Sequence, residues 1–194
     1  MRIGIDIDGT LADLSAAVVE KYNTIAQPTR PLHIDSWTSW DFYKEVGWTE
    51  EQMVYLMDLS WADWRAMPLL EEGLGTTITR LRDAGHRIHI ISNRTRRTHL
   101  AVLQWLESHN LYYDVLTLQS PADRNKSSKL DFPIDVLIDD HPKLYVESEY
   151  FPQKRVYLLT RLWNKDSVTH HPNHPHPNVL RVATVKEAVD DLLL

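Results

Sequence analysis

Apolar and polar positions follow two periods along this chain. Between Arg2 and Ile7 the β-branched residues Ile3, Ile5 and Ile7 alternate with small or polar ones, the period of a strand. Gly9 interrupts it, and the spacing of Leu11, Leu14, Val18 and Val19 predicts a helix over Leu11–Tyr22. From Gly73 onward the two periods take turns. Thr76–Ala84 reads as a helix closed by Gly85, a residue that adopts a left-handed end position without steric cost. Arg87–Ser92 reads as a strand, Thr98–His109 as a helix, and Tyr113–Leu118 and Ile134–Ile138 as strands. A short helix over Pro142–Glu149, a strand over Arg155–Leu159 and a closing helix over Val185–Leu193 complete the series. Strands alternating with helices in this way imply parallel βαβ units, hence a doubly wound α/β core.

Residues 28–70 break the rhythm. Pro28 and Pro31 open the stretch and Pro68 closes it, with a helix expected over Glu50–Leu59 behind a Thr49 cap. Five of the seven Trp (Trp37, Trp40, Trp48, Trp61 and Trp64) fall here. The expected organisation is a core made of residues 1–14 and 72–194, with residues 15–71 inserted as a small, helical, Trp-rich cap. Amphipathic cap helices need rings to pack on the core, so about half of these Trp are expected in packing.

Composition narrows the function classes. The chain has 194 residues, 43% hydrophobic and 25% charged, as in an ordinary globular protein. Its formal net charge of −6 argues against holding a nucleic-acid polymer by its phosphates. It leaves room for a small anion held by a few local charges. There is no Cys, which removes disulfides, thiolate metal sites and Cys nucleophiles. No apolar run approaches a membrane span, and acids interrupt the first segment at once, so a cytoplasmic protein is expected. The run His170–Pro177 is either a metal-binding tract or a Pro-stiffened loop.

Four features carry chemistry, each at the C-terminal end of an expected parallel strand, where open α/β sheets place their ligands. Asp6-Ile7-Asp8-Gly9-Thr10 sets two carboxylates beside a glycine turn. Such a string arises by chance on the order of once per hundred thousand positions. Its carboxylates suit Mg²⁺, and one of them suits nucleophilic attack. Ser92, with Asn93, ends the second strand, placed either to hold an anion or as a helix cap. Lys129, with Lys126 nearby, precedes the fourth strand. Asp139-Asp140 ends that strand, where two adjacent acids repel unless a cation or a turn at the surface relieves them.

Taken in order, acids, hydroxyl, lysine and acids resemble the haloacid dehalogenase-like (HAD) superfamily through Met1–Leu159. The resemblance implies a Rossmann-like core and phosphoryl transfer through an aspartyl-phosphate. It makes Asp6 the nucleophile and Asp8 the general acid and then base, the feature that separates phosphatases from relatives cleaving carbon–halogen or carbon–phosphorus bonds. Ser92, the Asn93 backbone and Lys129 would hold the phosphoryl oxygens. Mg²⁺ would bind the Asp6 carboxylate, the Asp8 carbonyl and the Asp140 carboxylate, with Asp139 orienting a bound water.

The spacing from Lys129 to Leu137-Ile138-Asp139-Asp140-His141-Pro142, and the run Trp61-x-x-Trp64-x-x-Met67-Pro68-Leu69, look like the 5′(3′)-deoxyribonucleotidases. That family has a helical cap after the first motif that stacks the nucleobase. Two positions depart from it: the second motif reads Ile91-Ser92-Asn93-Arg94 where those enzymes carry T-S-P, and His141 stands where they carry Arg. Trp37, Trp40, Trp64, Arg94 and Arg96 are the candidate substrate contacts of the cap and second motif, one of the arginines reaching a phosphate or carboxylate. The expected activity is a Mg²⁺-dependent phosphomonoesterase for a small phosphorylated metabolite, plausibly a (deoxy)nucleoside monophosphate. The alternatives are a phosphatase for a sugar phosphate or other metabolite, and a non-catalytic module binding Mg²⁺ and phosphate. Asp6, Asp8, Asp139, Asp140 and Lys129 together hold three of the six net negative charges, so the acidity that argues against polyanions is half concentrated at one place.

Overall fold

The strands foreseen from the alternation come together in one sheet. The computed structural model describes residues 1–120, 128–165 and 177–194. Its strands are β1 (Arg2–Ile5), β2 (Arg87–Asn93), β3 (Val115–Gln119), β4 (Val136–Asp139), β5 (Arg155–Leu159) and β6 (Val179–Val182). They run parallel in the order β3-β2-β1-β4-β5-β6. This is the expected Rossmann-like α/β sheet. Ile5 lies opposite Ile90 on one side and Ile138 on the other, so β1 and β4 end within one residue of each other while β2 runs on to Asn93. From β1 the chain builds outward through β2 and β3, then returns to lay β4 against β1. That reversal leaves a crevice beyond the ends of β1 and β4.

Both faces of the sheet are buried, as parallel strands require. Ile3, Ile5, Ile90, Ile138 and Tyr157 point into one apolar layer. Ile91, Leu137 and Val156 point into the other, with Leu130, Ile134 and Leu144. The helices are α1 (Leu14–Ala26), α2 (Phe42–Glu45), α3 (Glu50–Ala62), α4 (Leu74–Asp83), α5 (His99–Ser108), α6 (Leu144–Glu147) and α7 (Val185–Leu192). None of the described helices is long and apolar enough to cross a membrane.

The segment between β1 and α4 leaves and returns through one neck. Ala12 bridges Leu69, the Leu70 N–H donates to the Leu11 carbonyl, and the Asp13 N–H donates to the Pro68 carbonyl. Its apolar residues Val18, Trp37, Phe42, Leu56 and Trp61 join the same buried cluster as the sheet's Ile3 and Ile90. The inserted helices therefore share the sheet's core instead of closing a separate one.

Several boundaries differ from the sequence pattern. The first helix begins at Leu14 and not at Leu11, because Gly9 turns the chain with φ +73° and Asp13 caps the helix, its carboxylate accepting from the Ala16 N–H. The second motif's Ser92 lies inside β2, and α5 starts only after a 3₁₀ turn over Arg96–Thr98, so Ser92 caps no helix. Strand β6 was not foreseen; four residues beside a Pro- and His-rich run give too short a pattern to recognise. Residues 170–176 of the His170–Pro177 run lie outside the described residues, as does Lys126.

Helix α3 carries the capping box that its sequence spells. The Gln52 N–H donates to the Thr49 hydroxyl and the Thr49 N–H to the Gln52 side-chain oxygen. Thr49→Ala removes one half of that exchange and should cost about 1 kcal/mol of folding free energy, measured by urea denaturation.

Candidate active site

The carboxyl ends of β1, β2 and β4 set the site. Asp6 follows β1 directly, Ser92 and Asn93 end β2, and Asp139 ends β4 with Asp140 next in the chain. Lys129 reaches in from a 3₁₀ turn over Lys129–Asp131. Ser128 caps that turn, and its N–H donates to Asp131. The Lys129 ammonium lies 2.8 Å from Asp6 Oδ1 and donates to Asp139 Oδ2 at 2.7 Å. Asp139 Oδ1 accepts the His141 backbone N–H at 2.8 Å. All four side chains of this group (Asp6, Lys129, Asp139 and Asp140) are buried. The partners that Asp139 has here are Lys129 and the turn at His141, so its visible task is to hold the lysine.

Burying three carboxylates around one ammonium has electrostatic consequences. Burial raises the Asp6 carboxyl to about 7; Lys129 opposes the rise, and Asp139 and Asp8 add to it. Burial also raises Asp140 well above the usual carboxylate range, with Asp139 and Asp6 adding repulsion. For Lys129 burial alone would favour the neutral amine, but Asp139 and Asp6 more than offset it and keep the ammonium.

Asp8 stands apart from that group. Its Oδ1 accepts the Trp61 indole N–H at 3.0 Å, and its Oδ2 accepts Arg94 Nη2 at 2.5 Å. Arg94 is buried, with its guanidinium 4.3 Å from the Trp61 ring centroid. The sequence points to Arg94 as a contact for substrate anions; in the structure it is an ion-pair partner of Asp8. At β2, the Arg94 N–H bonds to the Gln119 carbonyl of β3. Successive strand N–H groups point to opposite sides, which turns the Asn93 N–H toward the β1 side, beyond the place where β1 ends.

A cavity of about 480 Å³, in the size range of small-molecule sites, opens over these groups. Asp8, Asp140, Asn93 and Arg94 line it from the sheet side, with Trp37, Trp40, Tyr43, Met53, Met57 and Trp61 from the insertion. Two of the expected contacts do not reach it. Trp64 packs half-buried against the core with Arg65 over its ring, and Arg96 is exposed in the turn before α5. Trp37 is stacked on Phe42, ring centroids 5.1 Å apart, and presents only part of its surface. Trp40 is the exposed ring, backed by His141 at 4.1 Å. His141 thus supports a cap ring.

The loop after β5 adds contacts that the sequence pattern does not mark. The Trp163 indole donates to Asp140 Oδ2 at 2.7 Å, and the Asn164 amide donates to the Asp140 and Leu159 carbonyls. Arg161 Nε donates to the Gly9 carbonyl at 2.8 Å. One signal for it was available: Arg161-Leu162-Trp163-Asn164 follows an apolar parallel strand at the same edge as the other motifs.

The cluster fits a hard divalent cation. Ligand oxygens of Asp6, Asp139 and Asp140 lie within 4.8 Å of one another. Trp163 occupies one Asp140 oxygen, while Oδ1 is buried without a hydrogen-bond partner. Gly9 is needed beside it, since a Cβ there would collide with the Asp140 carboxylate. Carboxylate oxygens in this number match Mg²⁺.

No protein-family model and no curated protein matches the sequence. Solved structures do match the fold. A protein described as a haloacid dehalogenase-like hydrolase from Bacteroides fragilis is 17% identical, with TM-score 0.62 over 96% of this chain and 98% of that one. CbbY from Rhodobacter sphaeroides, solved with phosphate, is 13% identical, with TM-score 0.55 over 93% and 92%. The HAD-hydrolase YfnB from Bacillus subtilis, solved with magnesium, is 13% identical, with TM-score 0.59 over 100% and 98%. The chain has the fold of HAD-like hydrolases.

A pH dependence of stability follows from the Asp6 carboxyl. Folded, it keeps its proton to about pH 7; unfolded, it releases it near pH 4. Between these values the folded state binds the extra proton, so the metal-free protein should lose stability as pH rises from about 4 to about 7. Melting temperatures in chelator should fall across that window, and Asp6→Asn should flatten the slope. Mg²⁺ should raise the melting temperature more near pH 7.5 than near pH 5, because ligating carboxylates must be deprotonated.

Proposed function

We propose that the protein is a Mg²⁺-dependent phosphomonoesterase that hydrolyses a small phosphate ester, with a (deoxy)nucleoside monophosphate as the substrate class. The observation that carries this reading is that two carboxylates two residues apart have different surroundings, one buried beneath the cavity and one lining it. Asp6 is buried against Lys129, while Asp8, two residues on, lies outside that cluster and faces the cavity. A nucleophile and a proton donor need such different surroundings.

In the proposed reaction an Asp6 oxygen attacks phosphorus and the bond to the ester oxygen breaks. The leaving oxygen takes a proton from Asp8. Water then gives a proton to Asp8 as its oxygen attacks phosphorus, the bond to Asp6 breaks, and inorganic phosphate departs. The Ser92 hydroxyl, the Asn93 N–H and the Lys129 ammonium would hold the phosphoryl oxygens throughout. Mg²⁺, held by Asp6 and Asp140 with the Asp8 carbonyl, would supply charge neutralisation at the phosphoryl group and keep Asp6 ionised. Phosphoryl transfer depends chiefly on such positioning and neutralisation.

The solved structures with phosphate and with magnesium belong to proteins of this fold, which supports the choice of substrate and ion. The nucleoside part of the reading is supported by the rings facing the cavity, Trp40 above all, since base–aromatic stacking contributes about 1–3 kcal/mol.

Phosphate release should require Mg²⁺ and stop with chelator. Asp6→Asn should lower kcat by at least about a thousandfold, the scale on which loss of a nucleophile is felt. Persistent activity in that variant would exclude an aspartyl-phosphate on Asp6. On a panel of monophosphates, nucleotides should exceed sugar phosphates in kcat/KM, and Trp40→Ala should raise the nucleotide KM about tenfold with little change in kcat. Equal rates on nucleotides and sugar phosphates would replace the nucleotidase reading with a general metabolite phosphatase.

A further inference from the structure

We infer that Arg94 and Trp61 are positioning residues that clamp Asp8, fixing the direction in which it gives and takes its proton. The inference rests on the proposed role of Asp8 as general acid and base. Each residue binds a different oxygen of the carboxylate: Trp61 Nε1 holds Oδ1 at 3.0 Å and Arg94 Nη2 holds Oδ2 at 2.5 Å. A carboxylate gripped at both oxygens has no rotation left about its last bond. Each oxygen still keeps a lone pair, so a proton can be accepted and returned without releasing the clamp.

The clamp is itself rigid. Trp61 is fully buried and meets the Trp105 ring edge-on at 5.6 Å. Trp105 in turn donates to the Met67 carbonyl at 2.9 Å. Arg94 lies over the Trp61 ring, which fixes the guanidinium plane. Trp61 comes from α3 of the insertion and Arg94 from the end of β2, so the proton donor is oriented jointly by both parts of the chain. Thr95 ties the same two parts together, its hydroxyl donating to Asp58 of α3 at 2.6 Å.

General acid assistance matters most when the leaving oxygen is a poor leaving group, and that dependence supplies the test. Compare glycerol 2-phosphate, an alkyl ester, with p-nitrophenyl phosphate, whose leaving group needs no proton. Measure kcat/KM, which reports only the steps through formation of the phospho-enzyme. Trp61→Phe keeps the ring and loses the N–H; Arg94→Lys keeps the charge and loses the planar fork. Each should lower kcat/KM on the alkyl ester about 10- to 100-fold and on the aryl ester less than about threefold, at a melting temperature near that of wild type.

Equal losses on both esters, or no loss on either, would overturn the clamp. Asp8→Asn separates this failure from failure of the underlying reading. If Asp8→Asn discriminates between the esters and the two clamp variants do not, the clamp alone is wrong. If Asp8→Asn loses the same factor on both, Asp8 is not the acid, and the clamp falls with it.

Discussion

Three carboxylates and one ammonium are buried together at the carboxyl edge of the sheet, and the surrounding structure is arranged around that cost. Asp6, Asp139, Asp140 and Lys129 carry a formal charge of −2 when all are ionised, which one divalent cation would neutralise. Without a cation the cluster takes up protons, and burial holds the Asp6 and Asp140 carboxyls above their usual range. Unpaired buried charge is unfavourable, so each member is fixed by a neighbour: Asp139 by Lys129 and the His141 N–H, Asp140 by Trp163 and, through its carbonyl, Asn164. The level ends of β1 and β4 bring the acids together, and the switch in strand order leaves the space above them open.

The second device is the separation of Asp8 from this cluster. Asp6 and Asp8 are two residues apart, yet they face different partners, because Gly9 turns the chain immediately after them. One carboxylate is held against an ammonium among other acids; the other is held between an indole and a guanidinium. A single short segment thereby supplies two groups with two electrostatic surroundings, the usual requirement for distinct acid–base roles.

The insertion serves both packing and the site. Trp37 and Trp61 belong to the shared apolar core and also line the cavity, whereas Trp48 and Trp64 only pack. The rings therefore do not sort into core and substrate sets. An indole carries a large apolar body and one polar N–H, so one Trp can anchor a helix and still orient a carboxylate. Trp61 and Trp163 both do this, one for Asp8 and the other for Asp140.

Much of this was legible along the chain. Strand alternation in β1, β2, β4 and β5 gave the parallel sheet. The pairs Asp6/Asp8 and Asp139/Asp140, with Ser92 and Lys129, marked the candidate site at its carboxyl edge, since strand ends carry ligands in such sheets. Local rules also placed the Thr49 cap and the turn at Gly85. Tertiary structure decided the partners. Nothing in the spacing of Arg94 says that it pairs with Asp8, that Trp61 completes the grip, or that Trp163 returns from β5 to hold Asp140. Those contacts join residues far apart in sequence, and periodicity reports only which face a residue occupies, not which distant side chain it meets there. The sequence determined the sheet and the chemical groups at its edge; the fold alone decided which neighbour orients each of them.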